Sequence, residues 1–356
     1  MTAVQSPFAI GCGDFRVSYR QDMAIYKNLR VRRRVMLLII LFFLFPILAP
    51  EYYVSLATMA GIASIGAIGL NILTGFTGQI SLGVGAFLGV GGYASALLTT
   101  RLGIPFWFAL PLSGIFTAGI GALFGIPSLR LKGLYLAMAT LAAQVIIYFL
   151  FNHWDALTGG TGGLVVQRPS LAGFSLDSEM SYYYLMLVIL ILTALFTLNL
   201  FRSRVGRALV AVRDRDLAAE VMGINLFKYK IIAFAVSSFF IGVSGSLMGH
   251  YTLVITPENY GTQISIEYLA MILIGGLGSV MGSIYGAAFI TLLPVVLREL
   301  MTAVREVFPN MESIFIGIKE IIFGGIIIIF LIYESEGLAK MWRNLKDYIK
   351  LWPFSY

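Results

Sequence analysis

Apolar segments without charged residues follow one another along almost the whole sequence. Seven of these segments lie at about 35–50, 52–73, 80–100, 102–127, 133–151, 182–201 and 231–253. Most are close to the roughly 20 residues that an α-helix needs to cross a bilayer. Because lipid offers no partner to a backbone N–H or C=O group, segments of this kind cross as helices. The sequence therefore predicts an all-α polytopic membrane protein.

Two further regions bring the predicted number of transmembrane helices to about ten. Residues 268–297 carry no charge, and the glycine-rich stretch Gly275–Gly278 interrupts them. Because this segment is too long for one ordinary span, we expect two helices there, the first of them short. A last span is expected at about 314–333. The first apolar segment begins only at Val35, behind a basic tail, so we interpret it as an uncleaved span and not as a signal peptide.

The composition agrees with a protein embedded in lipid. Hydrophobic residues make up 58% of the 356 residues and charged residues only 12%, whereas charged residues form about a quarter of a globular chain. Surface without charge must therefore face lipid. A single cysteine, Cys12, excludes an intrachain disulfide.

The distribution of Lys and Arg predicts which loops lie in the cytoplasm, because short cytoplasmic loops are enriched in these residues. With ten spans and both termini inside, the cytoplasmic side holds 20 of the 25 basic residues. The net charge is then +12 inside and −5 outside. Since anionic lipid headgroups account for basic residues at a membrane edge, no nucleic-acid partner is expected.

This orientation defines the predicted organisation of the chain. Residues 1–34 form a basic cytoplasmic tail, residues 35–333 the transmembrane domain and residues 334–356 a second cytoplasmic tail. Within the domain, residues 152–181 form an outer loop and residues 202–230 a basic cytoplasmic loop.

Small residues four positions apart recur in several spans, a spacing that lets a neighbouring helix approach closely. The glycines to which we assign helix packing are Gly85, Gly89, Gly278, Gly282 and Gly286. Packing alone is one interpretation. The other is that the dense runs 83–92 and 275–286, each beside a predicted helix break, belong to broken helices that line a cavity.

Four polar residues within or beside the spans are candidates for lining the path of a solute. They are Asn71, Gln79, Ser81 and Gln144. Each can instead form a hydrogen bond with a neighbouring helix, and the sequence leaves both interpretations open.

Ionisable side chains are almost absent from the spans. His250 and the pair Lys319 and Glu320 lie near predicted outer helix ends, where we expect them to reach the interface by snorkelling. A secondary carrier driven by protons or sodium keeps ionisable groups at depth, so this class is disfavoured. The sequence also lacks the G-x-x-x-x-G-K-[ST] phosphate-binding pattern and clusters of metal ligands. We therefore predict no catalytic residue, metal or cofactor, and another chain must supply any energy.

The cytoplasmic loop RSRVGRALVAVRDRDLAAEVMGINLFKYK, residues 202–230, has the pattern of two short helices. The first covers Arg204–Arg213, and the second is capped by Asp216, whose carboxylate can accept from free backbone N–H groups. Gly223 is placed to end the second helix in the left-handed conformation, followed by the apolar Ile224. Short helices between two spans can transmit a rigid-body movement. An ordinary basic loop is the alternative.

The stretch AAEVMGIN, residues 218–225, resembles the cytoplasmic coupling loop of ABC importer permeases. In that loop a short helix that contains Glu, followed by Gly, docks into a groove on the ATPase. The resemblance assigns these positions to Glu220 and Gly223, with Arg207 and Asp216 as flanking candidates.

Further motifs resemble the LivM-type permeases of branched-chain amino acid importers. They are GLNILTGFTGQISLGVGAFLGVGGYASALL (69–98), LTGGTGGL (157–164), IGGLGSVMGSIYGA (274–287) and the ending LWPFSY. With the loop motif, they extend the resemblance over nearly all of residues 35–356. The resemblance implies an ABC importer permease of the bacterial inner membrane with a glycine-rich, broken-helix core.

The resemblance also implies partners. A LivH-type permease would pair with this chain, two ATPase subunits would dock beneath it, and a periplasmic binding protein would deliver leucine, isoleucine, valine or similar amino acids. Closure of the ATPase dimer on ATP would move the coupling helices. Urea or a short amide is the alternative solute within the family. A secondary carrier and a membrane enzyme are the alternatives outside it, the latter weakened because no acid, base and nucleophile converge at one depth.

Overall fold

A computed structural model describes residues 29–127, 131, 133–171, 174–175, 178–305, 321–322, 324–330, 332 and 337–351. The predictions for the tail up to residue 28, for residues 130 and 132, for Lys319 and Glu320, for half of the last span and for residues 352–356 lie outside these ranges. The chain divides into two compact units, residues 1–48 and 49–356. The first unit contributes helix α1, Leu29–Leu48.

Helices dominate the second unit. In chain order they are α2 (Glu51–Thr77), α3 (Val84–Thr100), α4 (Phe106–Gly125), α5 (Leu134–His153), α6 (Asp155–Thr158), α7 (Glu179–Arg202), α8 (Arg204–Asp214), α9 (Asp216–Val221), α10 (Leu226–Thr252), α11 (Thr262–Gly275), α12 (Val280–Arg305) and α13 (Leu338–Leu351). Residues 324–330 are also helical, and Gly160–Gly162 and Pro257–Tyr260 form 3₁₀ turns.

Helices α2 and α10 lie at the centre of this unit. α10 packs against α2, α3 and α4, and α2 also packs against α7 and α12. In the most apolar part of each helix, 83% of the residues of α2 are buried but only 28% of those of α7. Large apolar side chains therefore cover the outside of the bundle, among them Phe108, Phe149 and Leu192. A surface of this kind is suited to lipid and not to water.

Within the described ranges, six helices are long and apolar enough to cross a membrane by length and composition: α2, α4, α5, α7, α10 and α12. Helices α3 and α11 are shorter, with 17 and 14 residues, and each lies beside a break in the helical chain. Every predicted apolar segment up to residue 305 coincides with a helix. The predicted division of residues 268–297 is confirmed, because α11 ends at Gly275 and α12 begins at Val280.

Short strands join the loops at one end of the bundle. β1 (Leu164–Val165) pairs antiparallel with β4 (Val254–Ile255), and β2 (Ser170–Leu171) pairs with β3 (Phe174–Ser175). The pair β1–β4 fixes the predicted outer loop to the end of α10. No pattern in the sequence predicts these strands, because two residues are too few to show an alternation of apolar and polar side chains.

Candidate functional site

The predicted short helices of the loop between α7 and α10 are α8 and α9. Ser203 caps α8, and its Oγ accepts the Gly206 N–H at 3.3 Å. Further along α8, Leu209 is buried in one hydrophobic cluster with Leu73 of α2, Leu136 of α5 and Phe234 of α10. Helix α8 packs directly against three long helices, α2, α7 and α10, and is not a loose part of the loop.

Helix α9 presents apolar side chains to the outside. Ala219 is buried, but Leu217, Val221 and Met222 are 70%, 88% and 83% exposed. We call these three residues the α9 apolar patch. Apolar side chains this exposed in a polar, charged loop indicate a surface that another molecule covers.

Gly223 ends α9 as predicted. Its φ is +85°, its N–H donates to the Glu220 carbonyl at 2.9 Å, and the Ile224 N–H donates to the Ala219 carbonyl at 3.0 Å. These two hydrogen bonds define a Schellman motif. A Cβ on Gly223 would meet no atom within 4 Å. Glycine is therefore favoured by the left-handed backbone and not by lack of space.

The other predicted coupling residues are exposed or half-buried. Asp216 is the first residue of α9 and not its N-cap, so the predicted position of the cap is wrong by one residue. Its carboxylate accepts the Leu217 N–H at 2.9 Å, which satisfies one free donor of the first turn. Glu220 is exposed next to the α9 apolar patch, and Arg207 is exposed on α8.

Arg213, at the end of α8, joins the loop to α2. Its Nη1 donates to the Gly75 carbonyl at 3.1 Å, and its Nε and Nη2 each donate to Asp214 Oδ1 at 3.0 Å. A Cβ on Gly78 would lie 3.0 Å from the Arg213 Cγ, so the side chain crosses the end of α2 closely. This role of Arg213 cannot be predicted from the sequence, because no local pattern separates Arg213 from Arg215 in the same basic loop.

Asn71, one turn before Gly75 in α2, holds the break between α11 and α12. Its Nδ2 donates to the Ser279 carbonyl at 3.0 Å and to Ser283 Oγ at 2.7 Å. Its Oδ1 accepts the Gly278 N–H at 2.9 Å. Both polar atoms of the buried carboxamide are hydrogen-bonded. For Asn71 these contacts favour a hydrogen bond to a neighbouring helix over contact with a solute. Arg213, Gly75 and Asn71 together form what we call the Arg213–Asn71 link.

Gln144 has a similar role at the start of α3. Its Oε1 accepts the Ala86 N–H, and its Nε2 donates to the Tyr260 carbonyl at 2.7 Å. The Gly85 N–H donates to Ser265 Oγ at 2.9 Å. The first N–H groups of a helix have no partner within it. Side chains of α5 and α11 therefore supply the cap that α3 lacks locally.

Gln79 and Ser81 lie in the chain between α2 and α3, and both are buried. Ser81 Oγ accepts the Gly83 N–H at 3.3 Å. Gln79 is 6% exposed, and neither its Oε1 nor its Nε2 has a hydrogen-bond partner in the described part of the chain. A cavity of about 230 Å³ lies beside Gln79, between α2, α5 and α8. An unpaired buried amide costs about 1–3 kcal/mol, so a polar group that reaches it is bound favourably.

Two of the predicted packing glycines bring α11 and α12 together. A Cβ on Gly282 would lie 2.5 Å from the Gly275 carbonyl oxygen, and a Cβ on Gly286 would collide with the Met271 carbonyl oxygen. Gly278 differs from the prediction because it lies in the turn between the two helices, with φ of +73°. Glycine is favoured here by the left-handed turn conformation, and its N–H donates to Asn71.

The other two packing glycines, Gly85 and Gly89, are in α3. A Cβ on Gly85 would lie 2.7 Å from the Gly261 carbonyl oxygen, and one on Gly89 would enter the ring of Phe151. Both glycines therefore face neighbouring elements at a separation that excludes any side chain.

His250 contradicts its prediction. It is 1% exposed and does not snorkel to an interface. Its Nε2 lies 3.0 Å from Ser95 Oγ, and its Nδ1 lies 3.1 Å from the Gln167 carbonyl. The predicted outer loop, which contains Gln167, covers the end of α10, so the polar partners of the ring come from the protein and not from headgroups.

Most of the chain that forms this bundle and its loop helices matches one family model. Residues 52–331 match the model described as branched-chain amino acid transport system / permease component. The chain belongs to this family. No solved structure matches it.

Curated relatives of the family are similar over most of their length. The chain is 30% identical to the high-affinity branched-chain amino acid transport system permease protein LivM of Salmonella typhimurium, over 87% of this chain and 75% of that protein. It is 31% identical to LivM of Escherichia coli K12, over 86% of this chain and 74% of that protein. It is also 27% identical to LivH of the same organism, over 64% of this chain and 79% of LivH.

Proposed function

We propose that this chain is the permease subunit of an ATP-driven importer that moves leucine, isoleucine and valine across the bacterial inner membrane. Family membership and the similarity to LivM proteins over 87% of the chain support this substrate class. In this scheme the chain provides the path, and separate ATPase subunits provide the energy.

The α9 apolar patch is the observation that carries the coupling part of the proposal. A six-residue helix is too short to be stable alone in water. The Schellman motif and the packing of α8 hold α9 in place, with Leu217, Val221 and Met222 outward. This surface is suited to a groove on an ATPase. Glu220 and Gly223 contribute to the same docking surface, with Arg207 and Asp216 at its border.

Docking at α9 would move the ends of several spans together. Helix α8 is packed against α2, α7 and α10, and close-packed helices transmit displacement because they deform little. Through the Arg213–Asn71 link, the same movement reaches the break between α11 and α12. The proposed power stroke is thus a rigid-body shift of α8 and α9 that reorients the broken helices.

The proposed assembly follows the family. The chain crosses the inner membrane about ten times with both termini in the cytoplasm, and a LivH-type permease pairs with it. The similarity of this chain to both LivM and LivH supports a pair of related permeases. Two ATPase subunits bind on the cytoplasmic side, and a periplasmic binding protein delivers the amino acid.

The solute path is proposed to pass Asn71, Gln79, Ser81 and Gln144. Gln79 is the residue of this set that we expect to contact the solute, because its amide has both a donor and an acceptor without a partner in the described ranges. Asn71 and Gln144 are proposed to shape the path by holding the helix breaks.

The test is reconstitution of the subunits that co-purify with this chain from native membranes, followed by uptake of labelled leucine and measurement of ATP hydrolysis. Two substitutions, Glu220→Ala and Gly223→Asp, should leave the chain inserted but uncouple hydrolysis from uptake. We expect the leucine transported per ATP to fall about tenfold, the equivalent of about 1.4 kcal/mol of lost coupling.

Gly223→Asn is the matched control for Gly223→Asp. Asn has the same size and tolerates the left-handed conformation, but it adds no charge to the docking surface. Its uptake should stay close to that of the unchanged chain. Normal uptake with Glu220→Ala and Gly223→Asp would argue against docking at α9, and uptake of labelled urea in place of leucine would argue against the substrate class.

A further inference from the structure

Helix α13 has one apolar face, and several basic residues lie on the rest of its surface. Leu338, Met341, Trp342 and Leu345 follow the i, i+3, i+4, i+7 spacing of a single helix face. The helix carries four basic residues against one acidic residue. A basic amphipathic helix of this composition is typical of a segment that lies on a membrane surface.

Beyond the first turn of α13, this apolar face is not covered by the described part of the protein. Leu338 packs against the main core cluster. Met341, Trp342, Leu345 and Tyr348 are 54%, 60%, 50% and 66% exposed. We call these four residues the α13 stripe. Four large apolar side chains on one face would be costly to leave in water.

The start of α13 is fixed close to the membrane-embedded bundle. A Cβ on Gly337 would lie 2.6 Å from the Cα of Gly276, so the chain touches the break between α11 and α12 there. The preceding helical residues 324–330 and 332 are apolar apart from glycine, with Ile328 and Ile329 exposed. The residues between 332 and Leu338 can span at most about 20 Å. Helix α13 therefore cannot lie far from the bilayer.

We propose that α13 lies in the headgroup region of the cytoplasmic leaflet and binds anionic phospholipid. The α13 stripe enters the boundary with the acyl chains, where Trp and Tyr are enriched. The basic residues reach the anionic headgroups, each contributing to attraction that falls off within a Debye length. A protein partner fits less well, because Lys is depleted at protein interfaces. The inference uses the proposed membrane orientation but neither the substrate nor the docking of an ATPase.

Contact with lipid would also act on the fold. Because Gly337 touches Gly276, a lipid-bound α13 holds the chain beside the α11–α12 break. The same break is joined to the Arg213–Asn71 link through the hydrogen bond between Gly278 and Asn71. Anionic lipid would thus restrain one of the elements that the proposed coupling movement displaces.

Single-cysteine labelling of the full chain tests the proposal. Cys12, the only cysteine, is replaced by Ser, and a polarity-sensitive fluorophore is attached at Leu345→Cys in the stripe or, as matched control, at Asn344→Cys, an exposed uncharged position beside it. The chain is reconstituted in vesicles of phosphatidylcholine alone or of equal parts phosphatidylcholine and phosphatidylglycerol. In the mixed vesicles, the Leu345→Cys probe should be protected from iodide and the Asn344→Cys probe should not.

A charge variant makes the test quantitative. Lys346→Gln together with Lys350→Gln should lower the ratio of protected to exposed Leu345→Cys probe about 25-fold, since each basic residue contributes about fivefold at an anionic surface. Equal quenching at both probe positions would overturn the proposal. So would equal protection in phosphatidylcholine alone, or protection that requires the co-purified subunits. No outcome depends on uptake, so failure here is distinct from failure of the proposed transport function.

Discussion

At the residue scale, single carboxamides replace the backbone hydrogen bonds that are lost where helices break. Asn71 supplies a donor and an acceptor to the break between α11 and α12, and Gln144 does the same for the start of α3. An amide is suited to this role because it carries both kinds of group on one rigid plane. Inside a bilayer, water cannot take over when such a side chain is lost.

Asn71→Leu tests this role. The substitution keeps the side-chain volume but leaves the Gly278 N–H without its acceptor. It also removes one of the two hydrogen bonds of the Ser283 hydroxyl, which still donates to the Ser279 carbonyl at 3.2 Å. Since a buried polar group without a hydrogen bond costs about 1–3 kcal/mol, we expect a loss of about 3 kcal/mol in the free energy of unfolding. The measurement is the thermal unfolding midpoint of the purified chain in mild detergent.

Asn199→Leu is the control for that experiment. It makes the same chemical change at an exposed position near the end of α7. We expect a change of less than about 0.5 kcal/mol, as for other surface substitutions. Similar midpoints for both variants would show that Asn71 does not hold the break.

The hydrogen-bond partners of these buried polar residues are distant in sequence. What each polar residue binds is therefore harder to predict than the span in which it lies. Asn71 and Ser283 are 212 residues apart, and His250 and the Gln167 carbonyl are 83 residues apart. The pattern of the sequence identified both polar residues as unusual but contained nothing about what would surround them. His250 was therefore placed at an interface, although a folded outer loop covers it.

At the element scale, local signals were sufficient for the loop helices. The residues between Ser203 and Ile224 contain the cap, the helix-forming runs and the terminating glycine, and each acts on neighbours within five positions. The division of residues 268–297 was predictable for the same reason. The packing of α8 against α2, α7 and α10 was not predictable, because it depends on which side of each helix the bundle leaves available.

Arg213→Gln tests whether α8 transmits movement through the Arg213–Asn71 link. Gln is too short to reach the Gly75 carbonyl, so α8 should stay folded but lose its direct bond to α2. The bond is charge-assisted but partly exposed, so we assign it about 1 kcal/mol. The leucine transported per ATP should fall about fivefold in reconstituted vesicles, with hydrolysis itself maintained.

Arg215→Gln is the matched control, since it removes the same charge from the same exposed stretch, two residues further along the chain. It should leave the ratio of leucine to ATP unchanged. An equal loss with both variants would assign the effect to the net charge of the loop and not to the bond with α2.

At the scale of the whole molecule, the helix ends form two groups, and different contacts join the members of each group. Arg213 brings α8 to the end of α2 and to the α11–α12 break. At the other group of ends, Arg101 donates to the Ala156 carbonyl at 2.6 Å, and Tyr251 donates to Glu179 at 2.7 Å. Loops that the charge distribution places on one side of the membrane thus meet in space. The excess of Lys and Arg alone predicts which of the two groups faces the cytoplasm.

Labelling of single cysteines tests that orientation. In the Cys12→Ser background, Leu217→Cys in α9 and Val165→Cys in β1 are well matched, since the native side chains are 70% and 76% exposed. A membrane-impermeant maleimide added to intact cells should label Val165→Cys and not Leu217→Cys, and inverted vesicles should give the reverse pattern. Labelling of Leu217→Cys from outside would place α9 away from ATP, where no ATPase could dock and the apolar patch would need another partner.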